Sequence, residues 1–253
     1  MNMDTNAIYV LWLRDMKRFV RARSRIIGML MMPIFFLLGL GLGLGGLVHI
    51  SGTVTYLEFI VPGILGMSLL FTSIASGTAV LWDRQFGFLK EILVTPNSRA
   101  SVVLGRVAGG ATTAVMQSII VVVISLIIGF HMTLTAITPL AIVFMVLIAS
   151  TFISLGLTFG SIINDFQGFQ LITQFVTLPL FFLSNGIFPL SSLPWYIQYI
   201  SYANPLTYGV DGLRGTLIGA STFPIWLDLI AMLISTLIMV SIAAYAFNRA
   251  DSG

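Results

Sequence analysis

The chain has 253 residues, 57% hydrophobic and 8% charged, with a net charge of +3 and no cysteine. A soluble domain carries about 25% charged residues, so this composition excludes a water-solvated globule and points to a bilayer. The small net charge gives no reason to expect nucleic acid, and without cysteine there is no disulfide framework or thiolate metal site.

A helix crosses the hydrocarbon core with roughly 20 apolar residues. Residues 4–25 come first and are not of that kind. Arg14, Lys17, Arg18, Arg21 and Arg25 fall within about 100° of one another on a helical wheel, opposite Ile8, Leu11, Trp12, Met16 and Phe19. This pattern predicts an amphipathic helix lying in the membrane plane. The plainer alternative is a basic flank that orients the first span. The apolar run 26–48 is longer than the 7–15 residues of a signal-peptide core and is followed by no small-residue cleavage site. It reads as a retained span. Its Gly39/Gly43 and Gly41/Gly45 pairs would let another helix approach closely.

A second span is predicted at about 57–81, with Glu58 at its outer end and Pro62-Gly63 one turn in. The charged island "DRQFGFLKEILVTPNSR" follows at 83–99. No charge then occurs from Val107 to Asn164, which fits spans at about 103–129 and 138–163 joined by a turn at 129–138. Asp165 marks the next exit, and a fifth span fits at about 168–187. The stretch 188–222 is broken by Pro189, Pro194 and Asn204-Pro205 and carries Trp195, Tyr196, Tyr199 and Tyr202. Broken backbone survives at membrane depth only inside protein or against water, and Trp and Tyr favour the headgroup level. We therefore expect short re-entrant helices here, then a sixth span at about 225–247. The whole is one all-α integral membrane domain, 1–253. With six spans, the basic N-terminal segment, the island with Arg106, and Arg249 share one side, which the excess of Lys and Arg assigns to the cytoplasm. Both termini are then cytoplasmic.

Little chemistry is visible. His49 and His131 fall in predicted outer turns; neither lies near a Ser or carboxylate arrangement suited to nucleophilic catalysis, and the pair cannot build a metal site of three or four ligands. Neither Lys17 nor Lys90 lies in a phosphate-binding G-x-x-x-x-G-K-[ST] loop. Glu58 and Asp165 sit at span ends, which disfavours an ion-coupled carrier. No catalytic residue, metal or cofactor is expected. What is left is a multi-span chain with a charged cytoplasmic loop and no energy source of its own.

Three stretches, "YLEFIVPGIL" (56–65), "WDRQFGFLKEILVTPNSRASVVLGR" (82–106) and "SNGIFPLSSLPWYIQYISYANPLTYGVDGLRG" (184–215), give the chain its resemblance to the ABC-2 family of transporter permeases, in particular the drug-export and nodulation-factor branch. The resemblance implies a permease subunit of an exporter, and the lack of an organellar presequence fits a prokaryotic plasma membrane. It implies two copies of the chain, two separate ABC-type ATPase subunits, and a coupling helix between spans 2 and 3. It also implies outer re-entrant helices and a drug-like, lipid or glycan cargo.

Within the island, Phe86, Leu89 and Leu93 share one helical face and Arg84, Phe88 and Glu91 the other. An apolar residue flanked by opposite charges suits a partner's groove. Arg84, Phe88, Lys90, Glu91, Thr95, Pro96 and Arg99 are the expected coupling residues, and a solvated loop is the bland alternative. Ser68, Phe71, Thr72, Gln174, Thr177, Phe181 and Asn185 would line a substrate path, unless they only pack helix on helix. Asn204, Pro205, Asp211 and Arg214 belong to the outer segment, where Asp211 and Arg214 are spaced to pair. The competing function is a membrane assembly or signalling protein that docks a cytoplasmic partner without transporting anything. An intramembrane enzyme is poorly served.

Overall fold

The computed structural model describes residues 5–43, 55–85, 99–163 and 165–249, and the regular elements among them are all helical. Helix α1 (Thr5–Arg21) carries the basic amphipathic pattern. After a break at Ala22, α2 (Arg23–Phe36) continues into a π-helical stretch, Leu37–Leu42, and the two arms meet at 73°. Helix α3 (Tyr56–Ser76) starts at a capping box: Glu58 N–H donates to Thr55 Oγ1 at 3.3 Å and Thr55 N–H to Glu58 Oε2 at 2.8 Å. A break at Gly77 leads into α4 (Thr78–Gln85).

Helix α5 (Arg99–Ile128) and α6 (Leu140–Ile162) flank a turn in which Gly129 has φ 114°. Helix α7 (Phe166–Phe182) is capped by Asp165, followed by α8 (Trp195–Ala203), α9 (Pro205–Ile218) and α10 (Ile225–Arg249). Four stretches are long and apolar enough to cross a bilayer: Tyr56–Trp82, Ser101–Ile128, Leu140–Ile162 and Ile225–Phe247. The bent α1–α2 pair would make a fifth. The expected fifth span is shorter than anticipated. Helix α7 has 17 residues, a rise of about 26 Å, and stops at Phe182 because Asn185 turns the chain with φ 60°.

Helix α6 is the centre of the bundle and packs against α3, α4, α5, α9 and α10. Its buried Phe144 and Phe152 fill the core, while glycine permits the closest backbone approach. A Cβ on Gly156 would lie 2.5 Å from the Ile74 carbonyl oxygen of α3, and one on Gly160 would lie 2.6 Å from the Gly77 oxygen. Such contact replaces the hydrophobic drive that lipid does not supply between helices. We expect Gly156→Val to cost about 1–3 kcal/mol or more, since backbone must move to admit it. Gly28→Ala, with nothing within 4 Å of the new Cβ, should be neutral. Thermal unfolding of the purified protein in micelles checks both.

The second organising feature is the end of α7. The last carbonyls of a helix lack partners, and here they end against α9 rather than water. Asn204 Nδ2 donates to Leu180 O at 2.6 Å, Thr207 Oγ1 to Leu183 O at 3.3 Å, and Arg214 Nη2 to Asn185 O at 2.7 Å. Arg214 is only 3% exposed. It also reaches Phe59 O of α3 at 3.3 Å and lies 4.0 Å over the Phe59 ring. Asp211, fully buried, faces Arg214 Nη1 at 3.6 Å and accepts the N–H groups of Thr222 and Phe223 at 2.8 Å each. One guanidinium thus joins α3, α7, α9 and the turn into α10. Arg214→Met would leave a buried carboxylate and two carbonyls short of donors. The expected cost is about 3–5 kcal/mol, read as a fall in the unfolding midpoint and in the yield of folded protein.

Candidate functional site

Two apolar cavities flank α3 and meet at Phe71. One, of about 310 Å³, opens between α3 and α7, bounded by Phe71, Ala75, Phe169, Thr173, Gln174 and Thr177. The other, of about 240 Å³, lies between α2 and α3, with Met29, Met32, Pro33, Ser68, Phe71 and Thr72 in its wall. Phe71 and Ala75 border both. Walls of this kind, apolar with a few hydroxyl and amide groups, suit an amphipathic ligand.

The residues expected along a substrate path divide. Phe71, Thr72 and Gln174 are partly open to these cavities, and Ser68 and Thr177 sit deeper in their walls. Thr177 spends its hydroxyl on Thr173 O within its own helix. Phe181 and Asn185 line neither cavity. Phe181 is buried edge-on against Phe36, ring centroids 6.4 Å apart, and Asn185 belongs to the polar junction around Arg214. There Asn185 Nδ2 approaches Asp211 Oδ1 at 3.4 Å and Asn185 Oδ1 accepts Leu190 N–H at 3.1 Å.

Asn204 and Pro205 start α9 in the way their types favour. The Asn204 side chain accepts the Leu206 N–H at 3.0 Å, and Pro205 occupies the first helical position, where no N–H is needed. The expected Asp211–Arg214 pair forms and holds the segment in place. Glu58, besides capping α3, lies 3.9 Å from exposed His131 of the α5–α6 turn.

Two residues escaped the sequence reading. Gln117 of α5 is 1% exposed and joins three helices. It accepts from Thr72 Oγ1 at 3.1 Å and donates to Ser68 Oγ and Met29 O, both at 3.4 Å. Pro33 has no N–H to give Met29 O, its i−4 carbonyl, so Gln117 fills a vacancy that proline makes. A lone amide within the uncharged stretch 107–163 was the available signal. Asp228, in the first turn of α10, is fully buried. An ionisable residue inside a span is itself a signal.

Arg84 lies in α4 and Arg99 opens α5, while Phe88, Lys90, Glu91, Thr95 and Pro96 lie outside the described residues. Helix α1 runs along α5, where Trp12 Nε1 donates to Thr112 Oγ1 at 3.1 Å. A cavity of about 210 Å³ between α1, α4 and α5 is lined by Asp15, Arg18, Trp82 and Arg106. Among the described residues, no three His, Cys, Asp or Glu side chains come together as a metal site would need.

The comparisons with known proteins agree with this architecture. The chain is 27% identical to the inner membrane transport permease YadH of Escherichia coli (strain K12) over 223 residues, covering 87% of this chain and 86% of that one. It is 26% identical to nodulation protein J of Rhizobium leguminosarum bv. viciae over 211 residues, 82% and 81% of the two chains. It is 32% identical to the putative transport permease ycf38 of Porphyra purpurea over 164 residues, 63% of this chain and 55% of that one. The model of the ABC-2 type transporter family matches residues 6–218, and the chain belongs to that family.

Proposed function

We propose that this chain is the membrane permease subunit of an ATP-driven exporter, powered by a separate ABC-type ATPase. The observation that carries the reading is the family match over 6–218, which takes in the interfacial helix, the charged island and the α8–α9 segment. The relatives named as transport permeases support transport rather than assembly alone. In this reading two copies of the chain pair with two ATPase subunits, and each copy crosses the plasma membrane six times. The spans are α2 with its π-helical extension, α3–α4, α5, α6, α7 and α10. Helix α1 lies in the cytoplasmic interface, and α8 and α9 form the outer re-entrant segment.

Cargo of amphipathic, lipid-like or glycan-bearing chemistry enters the cavities flanking Phe71. Helix α7, short and apolar on its open face, stands between the cavity wall and the second copy. ATP-driven motion reaches the spans through 83–99, which is contiguous with α4 and α5 on either side. Helix α4 packs on α3 and α7 and contributes Thr78 to the cavity between them, so a push on the island bears on the wall of that cavity.

The orientation is tested by single-cysteine labelling, which has no background in a chain without native cysteine. Lys90→Cys should react only after the membrane is opened, and Ser191→Cys should react from outside intact cells. Outside labelling of Lys90→Cys contradicts the topology.

Coupling is tested at Phe88 and Glu91. Phe88→Ala should remove an apolar anchor worth on the order of 2 kcal/mol, about thirtyfold in affinity for the ATPase. Adding Glu91→Arg should add a charge penalty at the same surface. The expected outcome is a permease that inserts normally but loses its ATPase, or keeps it without coupling hydrolysis to transport. Full-strength binding with normal transport by the double variant would remove the island from the mechanism.

A further inference from the structure

The first turn of α10 buries a carboxylate that no hydrogen-bond donor among the described residues meets. Asp228 is 0% exposed, and both of its carboxylate oxygens are buried without a hydrogen-bond partner. Its backbone N–H reaches Pro224 O at 3.3 Å, which fixes it in the opening turn. The field of a helix N-terminus favours an anion there by about 0.3–1 kcal/mol. Taking an ion out of water costs several kcal/mol even after relaxation, so the helix end cannot hold the charge alone.

The neighbouring elements supply no cation. On α9, Tyr208 and Asp211 are the ionisable groups close enough to feel the Asp228 charge, and neither neutralises it. Arg214 is already engaged with Asp211, Asn185 O and Phe59 O. Helix α6 and residues 107–128 of α5, the other elements against α10, contain no ionisable side chain. The N–H groups of the α9–α10 turn, at Thr222 and Phe223, are taken by Asp211. Two buried carboxylates therefore meet at the α9–α10 junction with one buried guanidinium, which is already paired with Asp211.

We propose that Asp228 is a proton-binding site, and that its proton holds α9 closed against α10. A neutral acid removes the excess negative charge without needing a counter-ion. Any movement that parts α9 from α10 lets water reach the first turn and frees the proton. A hydrated aspartate is ionised at neutral pH, so parting α9 from α10 releases the proton that the closed form holds. Closure must then strengthen as pH falls and weaken as pH rises. Titration of one proton changes such an equilibrium by at most about tenfold per pH unit.

The test is hydrogen exchange by mass spectrometry on the purified full-length chain in neutral detergent micelles, between mildly acidic and mildly alkaline pH. Rates are corrected for intrinsic exchange. In the wild type, opening of residues 205–228 should rise with pH, approaching about tenfold per unit at its steepest, while the amides of α5 keep a flat profile. Asp228→Asn, a neutral isostere, should stay closed throughout and lose the slope. An equal slope in both proteins, or none in the wild type, overturns the proposal. If Asp228→Asn does not accumulate, infrared spectroscopy of the wild type reads the acid directly. A protonated carboxyl band persisting at neutral pH supports the proposal, and its absence overturns it.

Discussion

A helix that ends inside an apolar medium must find donors for its last carbonyls within the protein, because lipid has none to offer. Helix α7 meets this requirement through α9. Asn204, Thr207 and Arg214 satisfy Leu180, Leu183 and Asn185 in turn, and Arg214 carries the link onward to α3. Much else follows from that arrangement. The chain can break at 183–194 without exposing backbone to lipid, α9 can sit inside the bundle, and α7 can be short. Gln117 does the same for Met29 O beside Pro33. In each case a long polar side chain allows an irregular backbone at depth.

The same junctions define what can move. Helix α3 is held at one end by Arg214 and along its middle by Gln117, with tight glycine contact to α6 at Gly77, Gly156 and Gly160. Helix α7 packs on α3, α4 and α6 along one face, with Phe169, Thr173, Thr177 and Phe181 buried, and its open face is strongly apolar, with Leu171 and Phe175 more than two-thirds exposed. The cavity between α3 and α7 therefore has one wall deep in the bundle and one wall whose far face is open and apolar.

How much of this was legible in the sequence depends on the type of signal. Long uncharged runs delimited α5 and α6 closely, since a charge at either end is costly to bury and the turn at Gly129 is marked by composition. Asn204-Pro205 announced the start of α9, and the Asp211–Arg214 spacing announced its ion pair. Hydrophobicity alone carried α7 to residue 187, too far, because the stop lies in the backbone of Asn185 and in contact between Gly186 and Gly63 across the fold. Phe181 and Asn185 passed for path residues because one-dimensional spacing cannot separate a cavity wall from a packed interface. Gln117 and Asp228 were single polar letters in apolar runs, and their weight became visible only with their neighbours, or lack of them. The coupling residues Phe88, Lys90, Glu91, Thr95 and Pro96 rest on pattern and resemblance, outside the described residues.

The central claim is that this chain moves cargo only as half of a paired membrane unit driven by another protein's ATP hydrolysis. Native mass spectrometry of the complex extracted intact from its own membrane tests this most directly. The account predicts an assembly of two copies of this chain with two copies of an ABC-type ATPase, as two-fold symmetry would arrange them. A stable, transport-active complex with a single copy of this chain, or one with no ATPase subunit, would contradict it.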